Sequence, residues 1–154
     1  MKYLFFILLL PIISCKATYQ NNILINTSVE NLFAAVSDYE KFPMYVPEFH
    51  QEVKIISTNR AGKDVQFYNM FFWGKFKIES TYLVSEFKKN EYIRLENLSQ
   101  YGITEFKFEK IDANMSKYIL INHVKAPSFI RKNLFKSYDK ELIALKAYCE
   151  SNFK

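Results

Sequence analysis

The sequence predicts an α+β fold, one curved antiparallel sheet of seven strands wrapped around a long C-terminal helix. Three observations carry that expectation. Between Phe49 and Val124, apolar and polar residues alternate with a period of two through six successive short segments, which is the pattern of an antiparallel meander. After it, Ile130, Leu134, Tyr138, Leu142, Leu145 and Cys149 recur at spacings of three and four, one apolar stripe of a long helix. Ahead of the meander stands "SDYEKFPMYVPEFH", Ser37 to His50, rich in rings but interrupted by Pro43 and Pro47. Each proline lacks an N–H and pushes its predecessor toward extended geometry, so no continuous helix is expected there.

The elements follow in order. "TYQNNILIN" (Thr18–Asn26) reads as a first strand with Ile23 and Ile25 on one face. "TSVENLFAAVSDY" follows, with Thr27 or Ser28 placed to accept a backbone N–H at a helix start. Its apolar face is Leu32, Phe33 and Val36. "FHQEVKIIST" then alternates, and "NRAGK" turns at Gly62. "DVQFYNMFFW" puts Val65, Phe67, Phe71 and Trp73 on one face with Asn69 among them, and Gly74 marks the next turn or bulge. "KFKIESTYLVSEF" sends Phe76, Ile78, Tyr82 and Val84 one way and its charged residues the other. "YIRLENL", "ITEFKFEKI" and "SKYILINHV" complete the meander, separated by polar turns. Pro127 opens the last helix, a position that suits proline, with Ser128 beside it to help satisfy free N–H groups. Lys132, Lys136 and Lys140 form a separate stripe toward water. A twisted sheet of this size curls, and the helix laid into the curl leaves space between the two.

Composition bounds the rest. A length of 154 residues, 49% of them apolar, fits one domain with a real core. Aromatic content is high at 18%, and only three Gly and four Pro argue against low complexity. The net charge of +5 is mild and specifies neither lipid nor nucleic acid. The N-terminus "MKYLFFILLLPIISCK" places Lys2 before an apolar run from Tyr3 to Ile13. That run is shorter than the ~20 residues of a membrane span and has the length of a signal-peptide core. Ile12-Ile13-Ser14-Cys15 resembles a bacterial lipobox, in which Cys15 would carry lipid; an uncleaved membrane-associating tail, another signal peptide and a misassigned start are the alternatives. Residues 1–15 are therefore set apart as a targeting segment, and 18–152 as the domain. Cys149 is then a lone thiol, expected as a buried small hydrophobe, with a Cys15–Cys149 disulfide as the less favoured alternative.

The order of elements, together with Val29-Glu30-Asn31-Leu32-Phe33, Asp38-Tyr39, Phe42-Pro43, Tyr45 and Pro47, resembles the helix-grip superfamily of START lipid-transfer domains and birch-pollen-allergen proteins. Within it the chain is similar to the polyketide cyclase/dehydrase and coenzyme Q-binding branch. The pattern spans roughly residues 18–150. Glu48-Phe49-His50 departs from the cysteine that often follows the second proline in the quinone-binding members. The resemblance implies a cavity for a hydrophobic ligand such as a lipid, isoprenoid or quinone. It places the Tyr39, Phe42, Tyr45 and Phe49 rings at the cavity mouth, the alternatives being that they plug the end of the core or share both roles. The alternative it implies is an enzyme of cyclase or dehydratase type working through a shaped apolar pocket.

Strand phase and the helix stripe predict a lining of Phe67, Phe71, Trp73, Phe76, Phe106, Leu134 and Tyr138. Asn69, Asn97 and Asn122 interrupt apolar strand patterns, and are candidates either to orient a ligand or to pair with buried backbone; Asn69 and Asn122 are carried forward as ligand contacts. His50 and His123 are the only histidines and neither stands at a metal-ligand spacing. No phosphate loop or nucleophile elbow occurs, so no catalytic residue, metal or cofactor is expected. The expected partners are a hydrophobic small molecule and a membrane surface, not nucleic acid. The expected state is a monomer associated with a membrane, as an exported lipoprotein in one reading.

Overall fold

The computed structural model describes residues 16–153, apart from Gly74 and the side chain of Trp73. The expectations placed on Cys15 and on the Trp73 ring therefore lie outside the described residues. Seven strands form one antiparallel sheet: β1 (Lys16–Ile25), β2 (Glu52–Ile55), β3 (Gln66–Trp73), β4 (Phe76–Lys88), β5 (Tyr92–Asn97), β6 (Gly102–Lys110) and β7 (Ser116–Lys125). Their spatial order is β1-β7-β6-β5-β4-β3-β2. The meander pairs neighbour with neighbour, while β1 closes the far edge against β7, Lys16 opposite Lys125 and Ile25 opposite Ser116. Gly62 lies at φ 88° and Asn90 at φ 63°. Both are turn positions in the left-handed region, which glycine and asparagine tolerate best. A register shift in the β4–β5 pairing falls between Val84 and Glu86.

Three helices cover the concave face: α1 (Val29–Ser37), α2 (Phe42–Tyr45) and α3 (Ser128–Asn152). Ser28 caps α1 by accepting the Asn31 N–H at 3.3 Å, as its position before an apolar helical face predicts. Pro127 precedes α3, but no side chain caps it and Ser128 becomes its first residue. Pro43 sits within the first turn of α2, where a missing N–H is harmless. The chain then leaves the helix, because Val46 adopts φ −132° just before Pro47.

α3 is held along β1 by polar contacts at several levels. Tyr19 donates to Asp139 at 2.7 Å and Lys146 to the Leu24 carbonyl at 2.8 Å, while the Asn26 N–H donates to Glu150 at 2.9 Å. Its C-terminal half is buried through Leu142, Leu145 and Cys149. These pack with Leu32, Phe33 and Val36 of α1 and with Phe106, Phe108, Tyr118 and Leu120 of the sheet into one core. Cys149 is a free, fully buried thiol whose pKa burial pushes up to about 12. In the N-terminal half of α3, Phe135 and Tyr138 pack against the edge of this core, and Ile130 and Leu134 stand over open space.

Candidate functional site: a cavity beneath the C-terminal helix

The gap between the N-terminal half of α3 and the concave sheet is a cavity of about 750 Å³, within the range of small-molecule sites. Strand registers show which end of the sheet it opens on. The start of β1, the start of β2, the β3–β4 and β5–β6 turns and the β7–α3 connection all lie at one end. Phe72, Tyr101, Lys125 and Pro127, from three of these segments, border the cavity. α1 and the β6–β7 turn lie at the other, filled end.

Seven of the residues expected at the ligand site line this space: Phe49, Asn69, Phe71, Phe106, Asn122, Leu134 and Tyr138. Five do not. Tyr39, Phe42, Tyr45 and Phe67 are core side chains, each less than a tenth exposed. Tyr39 stacks on Phe67 with centroids 4.7 Å apart, Phe42 meets Tyr39 edge-on at 5.7 Å, and Tyr45 donates to the Ala35 carbonyl at 3.2 Å. The segment from Tyr39 runs from the filled end toward the mouth, and only Pro47 to Gln51 reach the cavity. The mouth position implied by the resemblance therefore holds for Phe49, while the first three rings plug the end of the core. Phe76 has the inward phase of Ile78, but lies beyond the reach of α3 at the hairpin tip and is 75% exposed.

The polar groups divide into those that hold the wall and those that face the ligand space. Asn69 donates to the Phe49 carbonyl at 3.1 Å and its Oδ1 meets His50 Nδ1 at 2.9 Å. The amide orientation makes Nδ1 the protonated ring nitrogen. Burial lowers the His50 pKa to about 4, so the ring is neutral at pH 7. Asn97 accepts the Ser99 and Gln100 N–H groups at 2.9 and 3.1 Å and shapes the β5–β6 turn. Asn122 accepts from Thr104 at 2.6 Å, which leaves its amide N–H groups for a ligand. His123 is bonded at 3.1 Å to Thr18 and at 2.9 Å to Glu105.

Glu141 was not anticipated. Three residues beyond Tyr138 and seven beyond Leu134, it shares their face of α3 and lines the cavity. It also borders a neighbouring void of about 10 Å³ shared with Tyr45, His50 and Tyr118. Burial alone raises its pKa to about 7. At neutral pH such a group gives and takes protons with equal ease. The signal available in the sequence was one acid interrupting an apolar stripe. Among the described residues no group of three His, Cys, Asp or Glu side chains is placed to hold a metal ion, and no helix is long and apolar enough to cross a membrane.

Comparison with solved structures decides the architecture. An aromatase/cyclase, ZhuI from Streptomyces sp. R1128, superimposes with a TM-score of 0.78 at 11% identity, covering 88% of this chain and 94% of its own. A START superfamily protein from Mycobacterium smegmatis gives 0.75 at 16%, covering 87% and 97%. Norcoclaurine synthase from Thalictrum flavum, as a point mutant with a transition-state analogue, gives 0.63 at 13%, covering 88% and 94%. The protein has the helix-grip fold. No family model and no curated protein matches the sequence, so the helix-grip likeness lives in backbone geometry. Within this helix-grip frame, the cavity walls are the chain's own: Phe49, Phe71, Tyr82 and Tyr138 above and beside, Glu141 toward the filled end.

Proposed function

We propose that this protein binds a hydrophobic small molecule, of lipid, isoprenoid or quinone type, beneath α3 and takes it up at a membrane surface. The observation that carries the reading is the cavity of about 750 Å³, roofed by one amphipathic helix and open at one end. The START protein and aromatase/cyclase likenesses support a ligand-holding role for such a space. The mouth supports the membrane part. Phe72, Phe76, Tyr101 and Phe129 are 48%, 75%, 43% and 73% exposed, and all four belong to segments at the mouth end. Lys16, Lys75, Lys125 and Lys132 are exposed in the same segments. Exposed rings among lysines suit an interface with anionic lipid. A ligand passing directly from bilayer to cavity avoids exposing each CH₂ to water, at about 0.8 kcal/mol apiece.

The N-terminal segment fits this scheme. Lys16 lies 4.9 Å over the Tyr101 ring, so the described residues begin at the mouth. In our proposal residues 1–15 are the targeting segment, with Cys15 lipidated. Intact-mass analysis of membrane-extracted protein checks this, an unmodified chain beginning at Met1 being the contrary result. For the ligand, native mass spectrometry of protein extracted in mild detergent should show a co-purified apolar molecule of definite mass. Protein that carries none and takes up none from vesicles overturns the reading.

One observation favours a second reading, a cyclase or dehydratase. Glu141, poised near pH 7 beside neutral His50, has the protonation properties of a general acid–base group. Turnover of a polyketide-like substrate that is lost in Glu141→Gln would establish it.

A further inference from the structure

The cavity holds one acid that the protein does not partner. Asn69, Asn122 and His123 have side-chain partners, and Glu48, at the rim, pairs with Lys140 at 2.9 Å. Glu141 is different: among the described residues its carboxyl makes no hydrogen bond or ion pair, and burial is the sole influence on its protonation. A partly buried carboxyl without a partner is costly. The α3 stripe continues on either side of Glu141 as Tyr138 and Leu142, so packing alone would be served by an apolar residue there.

What surrounds Glu141 is aromatic and uncharged. Tyr19 of β1, Tyr45 of α2, Tyr82 of β4, Tyr118 of β7 and Tyr138 of α3 all feel its charge, which opposes their own ionisation. His50, from the segment before β2, is neutral and donates to Asn69. The basic residues that border the cavity, His123 and Lys125, stand near the mouth on β7, and His123 is engaged by Glu105. Tyr82, Tyr138, Phe49 and Phe106 present rings to the same space. A carboxylate set among ring faces, partly buried at the inner end of the cavity, is complementary to an organic ammonium. The carboxylate neutralises the charge while the rings receive its CH groups through cation–π contact.

We propose that Glu141 anchors the ammonium group of a cationic amphiphile, so that the cavity selects apolar molecules bearing a protonated amine over neutral or anionic ones of the same length. The inference rests on the ligand-binding reading above and narrows its ligand to a lipid-type amine, setting aside the neutral isoprenoid and quinone. It carries a proton signature. Below pH 7 Glu141 holds a proton, and pairing with an ammonium expels it, so amine uptake at pH 6 releases up to one proton per ligand.

The test uses decylamine, decanol and decanoate, titrated calorimetrically at pH 6 below their solubility or micelle limits, in two buffers of different ionisation enthalpy. Wild-type protein should bind decylamine at least about tenfold more tightly than decanol, with decanoate weakest and proton release for the amine alone. Glu141→Gln should lose both the preference and the proton release while keeping decanol affinity within about threefold, which also reports that it folds. Equal affinity of wild-type protein for the amine and the alcohol overturns this inference and leaves the cavity reading standing. So does an amine preference that survives in Glu141→Gln. Failure of all three probes to bind the wild-type protein overturns the cavity reading, and the ammonium site with it.

Discussion

At the scale of single residues, Glu141 has a carboxyl pKa of 4.5 when unfolded and about 7 in the fold. Between those values the unfolded chain ionises first, so stability is greatest below pH 4.5 and is lost as pH rises toward 7. His50 runs the other way. Its pKa falls from 6.5 to about 4, so its contribution is complete above pH 6.5 and is lost as pH drops toward 4. Each spans about 3 kcal/mol, and from pH 4.5 to 6.5 the two slopes cancel. Urea denaturation of Glu141→Gln should therefore show stability rising across that window, and of His50→Gln falling, where the wild type stays flatter. At pH 8 Glu141→Gln should exceed the wild type by up to about 3 kcal/mol; a Gln variant that is less stable there would mean that the carboxylate has a partner in the fold. Tyr39 supplies an independent test. Its hydroxyl is buried without a hydrogen-bond partner, an arrangement that costs about 1–3 kcal/mol. Tyr39→Phe keeps the ring stacked on Phe67 and should stabilise the protein, measured as a higher denaturation midpoint at unchanged slope.

At the scale of elements, the segment from Tyr39 to Gln51 is two devices in succession, a packed wedge and then a cavity wall. Phe42→Ala removes a ring that touches Tyr39, Tyr45, Phe67 and Phe106, and should cost about 3–5 kcal/mol. Phe49→Ala, from the wall, should cost less and change ligand uptake instead; a thermal melt beside a decanol titration separates the two effects. Periods of two and of three to four made the strands and α3 legible, because each element buries one face and its side chains reveal which. β3, β5, β6 and β7 begin and end within two residues of expectation. The site was legible where strand phase and the α3 stripe set it, as at Phe71, Phe106, Leu134 and Tyr138. Phase says which side of the sheet a residue faces, but not how far along the strand α3 still covers it, and Phe76 fails for that reason. Glu141 stayed hidden because an acid on a helix normally marks the wet side, and only the depth of the cavity reverses that meaning.

At the scale of the whole molecule, the exposed rings share one end with the start of β1, so the membrane docking proposed above is a property of orientation. Phe72→Ser combined with Phe129→Ser should leave the melting temperature within a degree or two, since both rings are exposed, but lower co-sedimentation with anionic vesicles; unchanged sedimentation would show that the mouth is not the docking face. The pairing of β1 with β7 has a kinetic consequence. The first strand to leave the ribosome has its partner at the far end of the domain, and α3, which ties down Tyr19, Leu24 and Asn26, comes later still. The meander from β3 to β6 can assemble from neighbouring hairpins, whereas β1 must wait through the costliest loop closure in the chain. In pulse-labelled hydrogen exchange during refolding, amides of β4 and β5 should become protected before those of β1. Until that last strand docks, the edge of β7 is an open template for another chain, so refolding yield should fall as protein concentration rises.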